Sequence, residues 1–246
     1  MKSAPKKKAL KSKKPAEARP AKPISECMRC GTCCKKGGPA FHHADKALID
    51  AGVIHSKYLY TIRKGELAYD NVKQCLEPVS SDVIKIKGKN KSLTCIFFDE
   101  PQSACRIYEN RPIECRALKC WDTKALEDLY AKKRLTRKDL ISEIEGLWGL
   151  IKDHQERCNY KTIQKLVDAL KSNMRDNERQ KLNEIIQFDT EMRKLVVSTA
   201  GLDAEMLDFL FGRPLIQTIQ KLGLKVQQKG KENIFLQASC GDHLKS

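Results

Sequence analysis

Four cysteines within eight residues, Cys27-Met28-Arg29-Cys30-Gly31-Thr32-Cys33-Cys34, constrain this chain more than any other feature. A two-residue gap lets the backbone curl so that successive thiolates converge on one centre. Gly31 supplies the positive backbone angles that such a curl uses, and exposed amide N–H groups stabilise sulfur charge. Lys35 and Lys36 follow immediately and offset it further. Sequence neighbours on an extended or irregular backbone point apart, so Cys33 and Cys34 are not expected to ligate one mononuclear ion together. The CxxCxxC register matches the first three ligands of a bacterial ferredoxin run, in which a fourth ligand comes from farther along the chain.

Remote candidates are present. Cys95, Cys105 and Cys115 recur with nine residues between successive members, and Cys120 lies five beyond the last. Ile96, Phe97 and Phe98 offer an apolar wall, and Arg106, Arg111 and Arg116 offer charge balance for an all-thiolate site. The expected metal ligands are therefore Cys27, Cys30, Cys33, Cys34, Cys95, Cys105, Cys115 and Cys120. A lone free cysteine usually packs as a small hydrophobe, and Cys75, Cys158 and Cys240 are read that way. His154 lies four residues before Cys158, a possible ligand pair on one helical face, though a packed or solvated histidine is the plainer reading. His42 and His43, near the first run, are a lesser ligand option.

Structural zinc prefers two separated CxxC or Cys/His pairs, and no second CxxC occurs here. The cysteine number and the ferredoxin-like register favour an iron–sulfur cluster, with zinc as the alternative. The count of 11 cysteines is odd, and the first 23 residues carry lysines where an export signal needs apolar residues. A reducing, cytoplasmic setting with thiolates available for metal is expected.

The net charge of +16 is uneven: residues 1–23 hold eight lysines and one arginine against one glutamate, or +8. Such a tail cannot bury enough apolar area to order itself, and it is read as a disordered, solubilising segment. Nucleic acid, an acidic protein partner or nuclear import through PKKKALKSKK are its other readings. No apolar run approaches the roughly 20 residues that span a bilayer, so no membrane partner is expected.

The remainder reads as α+β and mostly helical: an irregular cysteine-rich module over 24–120, a helical region over 121–222, and a C-terminal hairpin or tail over 223–246. Short helices are expected at Asp45–Ala51 and Ser56–Glu66, and strands at Val83–Lys87 and Cys95–Phe98. Thr136 to Asp139 forms a capping-box pattern ahead of the stripe Leu140, Ile144, Leu147, Trp148 and Ile151. Further stripes are Ile163, Leu166, Val167 and Leu170, then Leu182, Ile185, Ile186, Met192 and Val196. Two shorter helices, Asp203–Phe211 and Pro214–Leu222, meet at Gly212.

Together, CxxCxxCC, then Cys95-Ile96-Phe97-Phe98, then the segment CRIYENRPIECR from Cys105 to Arg116, resemble the zinc- or iron-chelating cysteine-cluster family, called YkgJ-type. The resemblance covers about residues 24–120. It implies that Cys27, Cys30, Cys33, Cys34, Cys95, Cys105 and Cys115 hold the family's cysteine positions, with Cys120 outside that core and Arg111-Pro112 as its RP dipeptide. It also implies a bacterial, cytoplasmic metal protein. A flagellin lysine methylase with a similar motif carries an iron–sulfur cluster, so such a module can serve an enzyme. No glycine-rich SAM-binding loop and no nucleophile–base–orienter set is recognisable in this chain. Three functions follow: a redox, sensing or metal-handling protein; an iron–sulfur oxidoreductase or protein methylase; or a zinc-stabilised nucleic-acid or protein binding module.

Overall fold

The computed structural model of the protein describes residues 25 and 27–237, apart from 131, 173–175, 230 and 231. The basic tail, with its nucleic-acid reading, and Cys240 lie outside the described residues. In chain order the elements are α1 (Lys46–Asp50), β1 (Leu59–Ile62), β2 (Leu67–Asp70), β3 (Cys75–Pro78), β4 (Val83–Ile86), β5 (Phe98–Asp99), β6 (Ala104–Cys105) and α2 (Ile113–Ala117). There follow α3 (Lys124–Leu129), α4 (Arg137–Ile141), α5 (Glu145–Arg157), α6 (Tyr160–Ser172), α7 (Asp176–Ser198), α8 (Leu207–Phe211), α9 (Leu215–Thr218), β7 (Leu224–Lys229) and β8 (Glu232–Gln237). The fold is α+β and mostly helical, with two-stranded antiparallel sheets pairing β1 with β4, β2 with β3, β5 with β6, and β7 with β8. None of the described helices is long and apolar enough to cross a membrane.

Two expectations in the first module are overturned. Ser56–Glu66 is not a helix: a 3-10 turn over Ser56–Tyr58 leads straight into β1. Thr61 and Ile62 are β-branched, and β1 pairs with the aliphatic strand Val83–Ile86 in the register Leu59↔Ile86 to Ile62↔Val83. A sheet partner that buries Leu59 and Ile84 outweighs helical spacing. Cys95–Phe98 is a turn, in which Cys95 makes a single bridge to Gly88 and strand pairing begins only at Phe98.

The helical expectations hold with one break. Thr136 and Asp139 do form a capping box, but α4 ends at Ile141 and the stripe continues only from Glu145 in α5. Ile144, at the junction, is non-helical and exposed. α6 buries Ile163, Val167 and Leu170, and α7 buries Leu182, Ile186, Met192 and Val196. The hairpin β7–β8 closes against these helices through Leu224, Val226 and Phe235.

One core runs through both halves of the chain. Phe41, Ile54, Leu59, Ile84, Ile86, Cys95 and Phe98 from the cysteine-rich half pack with Leu135, Ile141, Ile151, Met192, Val196 and Phe209–Phe211. At roughly 25 cal/mol per Å² of apolar area, such burial is the main stabilising term. Arg137 clamps the junction. Its guanidinium donates from Nε and Nη2 to Asp82 at 2.7 and 3.1 Å, from Nη2 to Gln155 Oε1 at 3.1 Å and from Nη1 to the Leu210 carbonyl at 2.6 Å. These partners lie before β4, on α5 and on α8.

Replacing Arg137 with Met leaves a largely buried carboxylate without its partner, which costs about 3–5 kcal/mol. Urea unfolding should show that loss, and Arg137→Lys should recover little of it, because an ammonium cannot span the fork. An unchanged midpoint in Arg137→Met would remove the clamp from the account.

Candidate metal centre

The first ligand loop curls as its glycine suggested. Arg29 and Gly31 both take positive φ, 52° and 72°, on either side of Cys30. The loop then closes in a turn, with Lys35 N–H donating to the Gly31 carbonyl at 3.0 Å and Lys36 N–H to the Cys33 carbonyl at 3.2 Å. Gly31 is buried against Phe98, so closely that an added Cβ would stand 2.3 Å from the ring tip. Glycine is therefore required twice over, for its φ and for the approach of the ring.

The second segment is tied to the first by backbone. Cys95 N–H donates to the Cys34 carbonyl at 2.7 Å, and β5 sets Phe98 opposite Cys105. Cys115 sits on α2, whose start is fixed from the opposite end of the module. Asp45, fully buried, accepts from Ile113 N–H at 2.8 Å and from His42 N–H at 3.0 Å. Glu114 accepts from Ala40 N–H at 2.6 Å, and its other oxygen lies 3.1 Å from His42 Nε2.

These ties set Cys34 beside Cys95 and leave Cys33, Cys105 and Cys115 within electrostatic reach of them; among the described residues, no three of these thiols lie within 4.8 Å of one another. The charges of Cys33, Cys95 and Cys105 act on Cys34, and those of Cys33, Cys95 and Cys105 also act on Cys115. Cys30 lies beside Cys33 in the same electrostatic range, with its sulfur 3.2 Å from Thr32 Oγ1. Cys27 and Cys120 are exposed, the first at the start of the loop and the second in the turn after α2, and the structure does not draw them into this group.

Cys33 and Cys34 correct the sequence reading. Their sulfurs do not diverge; the turn places them 4.0 Å apart. Two thiolates on one tetrahedral zinc, each at about 2.3 Å, are separated by about 3.8 Å, so this pair is spaced to share an ion. The hydrogen bond between them divides their acidities. Their shared hydrogen bond lowers Cys33 to about 6, with help from Arg111. It raises Cys34, and burial and the neighbouring thiols add to the rise. Burial also raises Cys95, and pushes Cys115 up to about 12. Cys33 and Cys34, held this close, do not both ionise readily unless a cation joins them. The donor set therefore fits a thiophilic metal.

Of the three arginines expected to balance charge, Arg111 acts on Cys33 and stacks on Tyr108 at 3.5 Å from the ring centre. Arg106 instead donates to the Ile96 carbonyl. His42 is used up as a brace, since its Nδ1 lies 2.7 Å from the Lys132 carbonyl and its Nε2 faces Glu114; its pKa rises, chiefly through Glu114. His43 points to Asp139 at 3.8 Å. The bracing roles of Asp45 and Glu114 are invisible in the sequence, because both join residues about 70 positions apart. Cys75 lies exposed on β3, whereas Cys158 is fully buried.

Compared with known proteins, residues 26–135 match the model of the CxxCxxCC family, described as "Putative zinc- or iron-chelating domain". No curated protein and no solved structure matches the chain. The match extends past Cys120 to Leu135, whose N–H donates to the Phe41 carbonyl at 2.9 Å.

Gly31→Ala should lower the metal held per chain while leaving far-UV circular dichroism intact. Adding Phe98→Leu, which shortens the side chain that meets the new Cβ, should restore part of it. Full metal content in Gly31→Ala would show that the loop tolerates another path.

Proposed function

We propose, from the match of residues 26–135 to the CxxCxxCC model of a putative zinc- or iron-chelating domain, that this protein holds an iron–sulfur cluster and serves in redox, sensing or metal handling. The observation that supports the proposal is a set of thiols within electrostatic reach of one another: Cys33, Cys34, Cys95, Cys105 and Cys115, with Cys30 alongside. A mononuclear structural zinc takes four ligands. Six thiols on two segments exceed that number and suit a polynuclear centre with thiolate ligation.

The cysteines that would hold the group are Cys30, Cys33, Cys34, Cys95, Cys105 and Cys115, with Cys27 and Cys120 as further candidates from exposed positions. When bound, an iron–sulfur cluster supplies one-electron chemistry or a centre responsive to oxygen. The protein's own contribution is to back the thiols with the buried Phe98 and Cys95 and to offset their charge with Arg111.

A second reading, zinc, is favoured by one observation: the 4.0 Å separation of the Cys33 and Cys34 sulfurs, which suits a single tetrahedral ion. In that reading the remaining thiols form a second site or stay protonated.

Purification without oxygen, followed by a visible spectrum and determination of iron, acid-labile sulfide and zinc per chain, separates the two. Iron and sulfide in equal amounts, with thiolate-to-iron charge-transfer absorption, are expected. Stoichiometric zinc with a featureless visible spectrum would overturn the iron–sulfur reading. Under either metal, Cys30→Ser and Cys115→Ser should each lose most of the metal, whereas Cys75→Ser should keep it. Retention in both of the first two variants would sink the ligand assignment.

A further inference from the structure

Away from the cysteine cluster, a second group of metal-competent side chains is buried between α5 and α7. His154 and Cys158 lie one helical turn apart at the C-terminal end of α5, and Asp189 faces them from α7. Their exposures are 0%, 0% and 2%. One ligand atom from each lies within 4.8 Å of the other two, and among the described residues this is the trio that meets that spacing.

We propose that His154, Cys158 and Asp189 form a second metal site, with mixed nitrogen, sulfur and oxygen donors, for a divalent cation of zinc's class. Imidazole, thiolate and carboxylate are the donors that zinc accepts, and three protein donors are enough to retain it. The metal-free packing leaves a polar atom of this group unmet. His154 Nε2 lies 2.7 Å from Asp189 Oδ1, but the other ring nitrogen, Nδ1, is buried with no hydrogen-bond partner among the described residues. An unmet buried polar atom costs about 1–3 kcal/mol. Burial lowers the ring's pKa to about 4, so the imidazole is neutral and has a lone pair to give.

The carboxylate is already aimed. Asp189 accepts from Arg193 Nε at 2.9 Å and from Leu215 N–H at 2.9 Å, the kind of outer hydrogen bonding that orients a ligating carboxylate. Loading exchanges charge simply: the ion binds the Cys158 sulfur as its thiol proton leaves to solvent, and the two positive charges meet one thiolate and one carboxylate. Arg63, whose Nη1 donates to the Cys158 carbonyl at 3.2 Å, and Arg193 also stand close by. Their guanidinium charges oppose an incoming cation. The site is therefore the weaker of the two, and it releases its ion first under a chelator.

The test uses the full chain loaded with cadmium-113 alone. A two-dimensional proton–nitrogen spectrum should show coupling from bound cadmium to one histidine ring, because the cysteine cluster supplies only sulfur. His154→Gln should abolish that coupling. Cys158→Ser, provided that it folds, should lose about one ion per chain relative to the parent. Absence of any histidine coupling at saturating cadmium would reduce the trio to a buried hydrogen-bonded network and overturn the proposal. A folded Cys158→Ser that binds as many ions as the parent would do the same. If Cys158→Ser does not fold, the parent spectrum decides alone. Cys30→Ser separates this proposal from the preceding one: loss of cluster metal with the histidine coupling retained supports both, and retention of cluster metal sinks only the cluster assignment.

Discussion

The guanidinium of Arg137 is the interaction on which the rest of the structure depends. It is nearly fully buried, so its charge is tolerable only because every direction of its fork is filled: a carboxylate, an amide oxygen and a main-chain carbonyl. Its partners come from three parts of the chain that apolar packing alone would leave free to slide. Similar arginines surround α8. Arg193 donates to the carbonyls of Phe211 and Gly212, and Arg213 pairs with the buried Glu66. Gly212 takes a φ of 73° against Arg63, where an added Cβ would lie 2.7 Å from that side chain. Buried charge of this kind adds less to stability than to uniqueness: it specifies which segments meet.

That uniqueness matters because the cysteine loops contribute little order of their own. Their strands are two residues long, and their helix spans only Ile113–Ala117. The loops are held by the β1–β4 pair behind them, by Asp45 and Glu114, and by the core that α5, α7 and α8 complete. The helical half thus serves as a support for the thiols, and the family match ends at Leu135, just before the clamp.

Much of this was legible in the sequence. Spacing alone marked out the CxxCxxCC run, which the match to a putative zinc- or iron-chelating domain includes. Apolar stripes marked out α6 and α7, and a capping box marked the start of α4. Other features were hidden by the local character of such patterns. Leu59–Ile62 carries helical spacing, yet Ile84 and Ile86 lie too far along the chain to announce that they would pair with it. The convergence of Cys33 and Cys34 depends on a turn closed by main-chain hydrogen bonds, which side-chain identity does not encode. Asp189 lies within the apolar stripe of α7, and its partners on α5, on α7 and at the start of α9 explain a carboxylate there.

The bracing of α2 bears on how the protein reaches its native state. His42 meets Glu114 across 72 positions and Lys132 across 90, and Cys34 meets Cys95 across a loop of comparable length. Closing such loops costs chain entropy before any contact repays it, and long-range pairing slows folding. The approach of the two cysteine segments therefore carries a loop-closure cost that the braces from Asp45, His42 and Glu114 must offset.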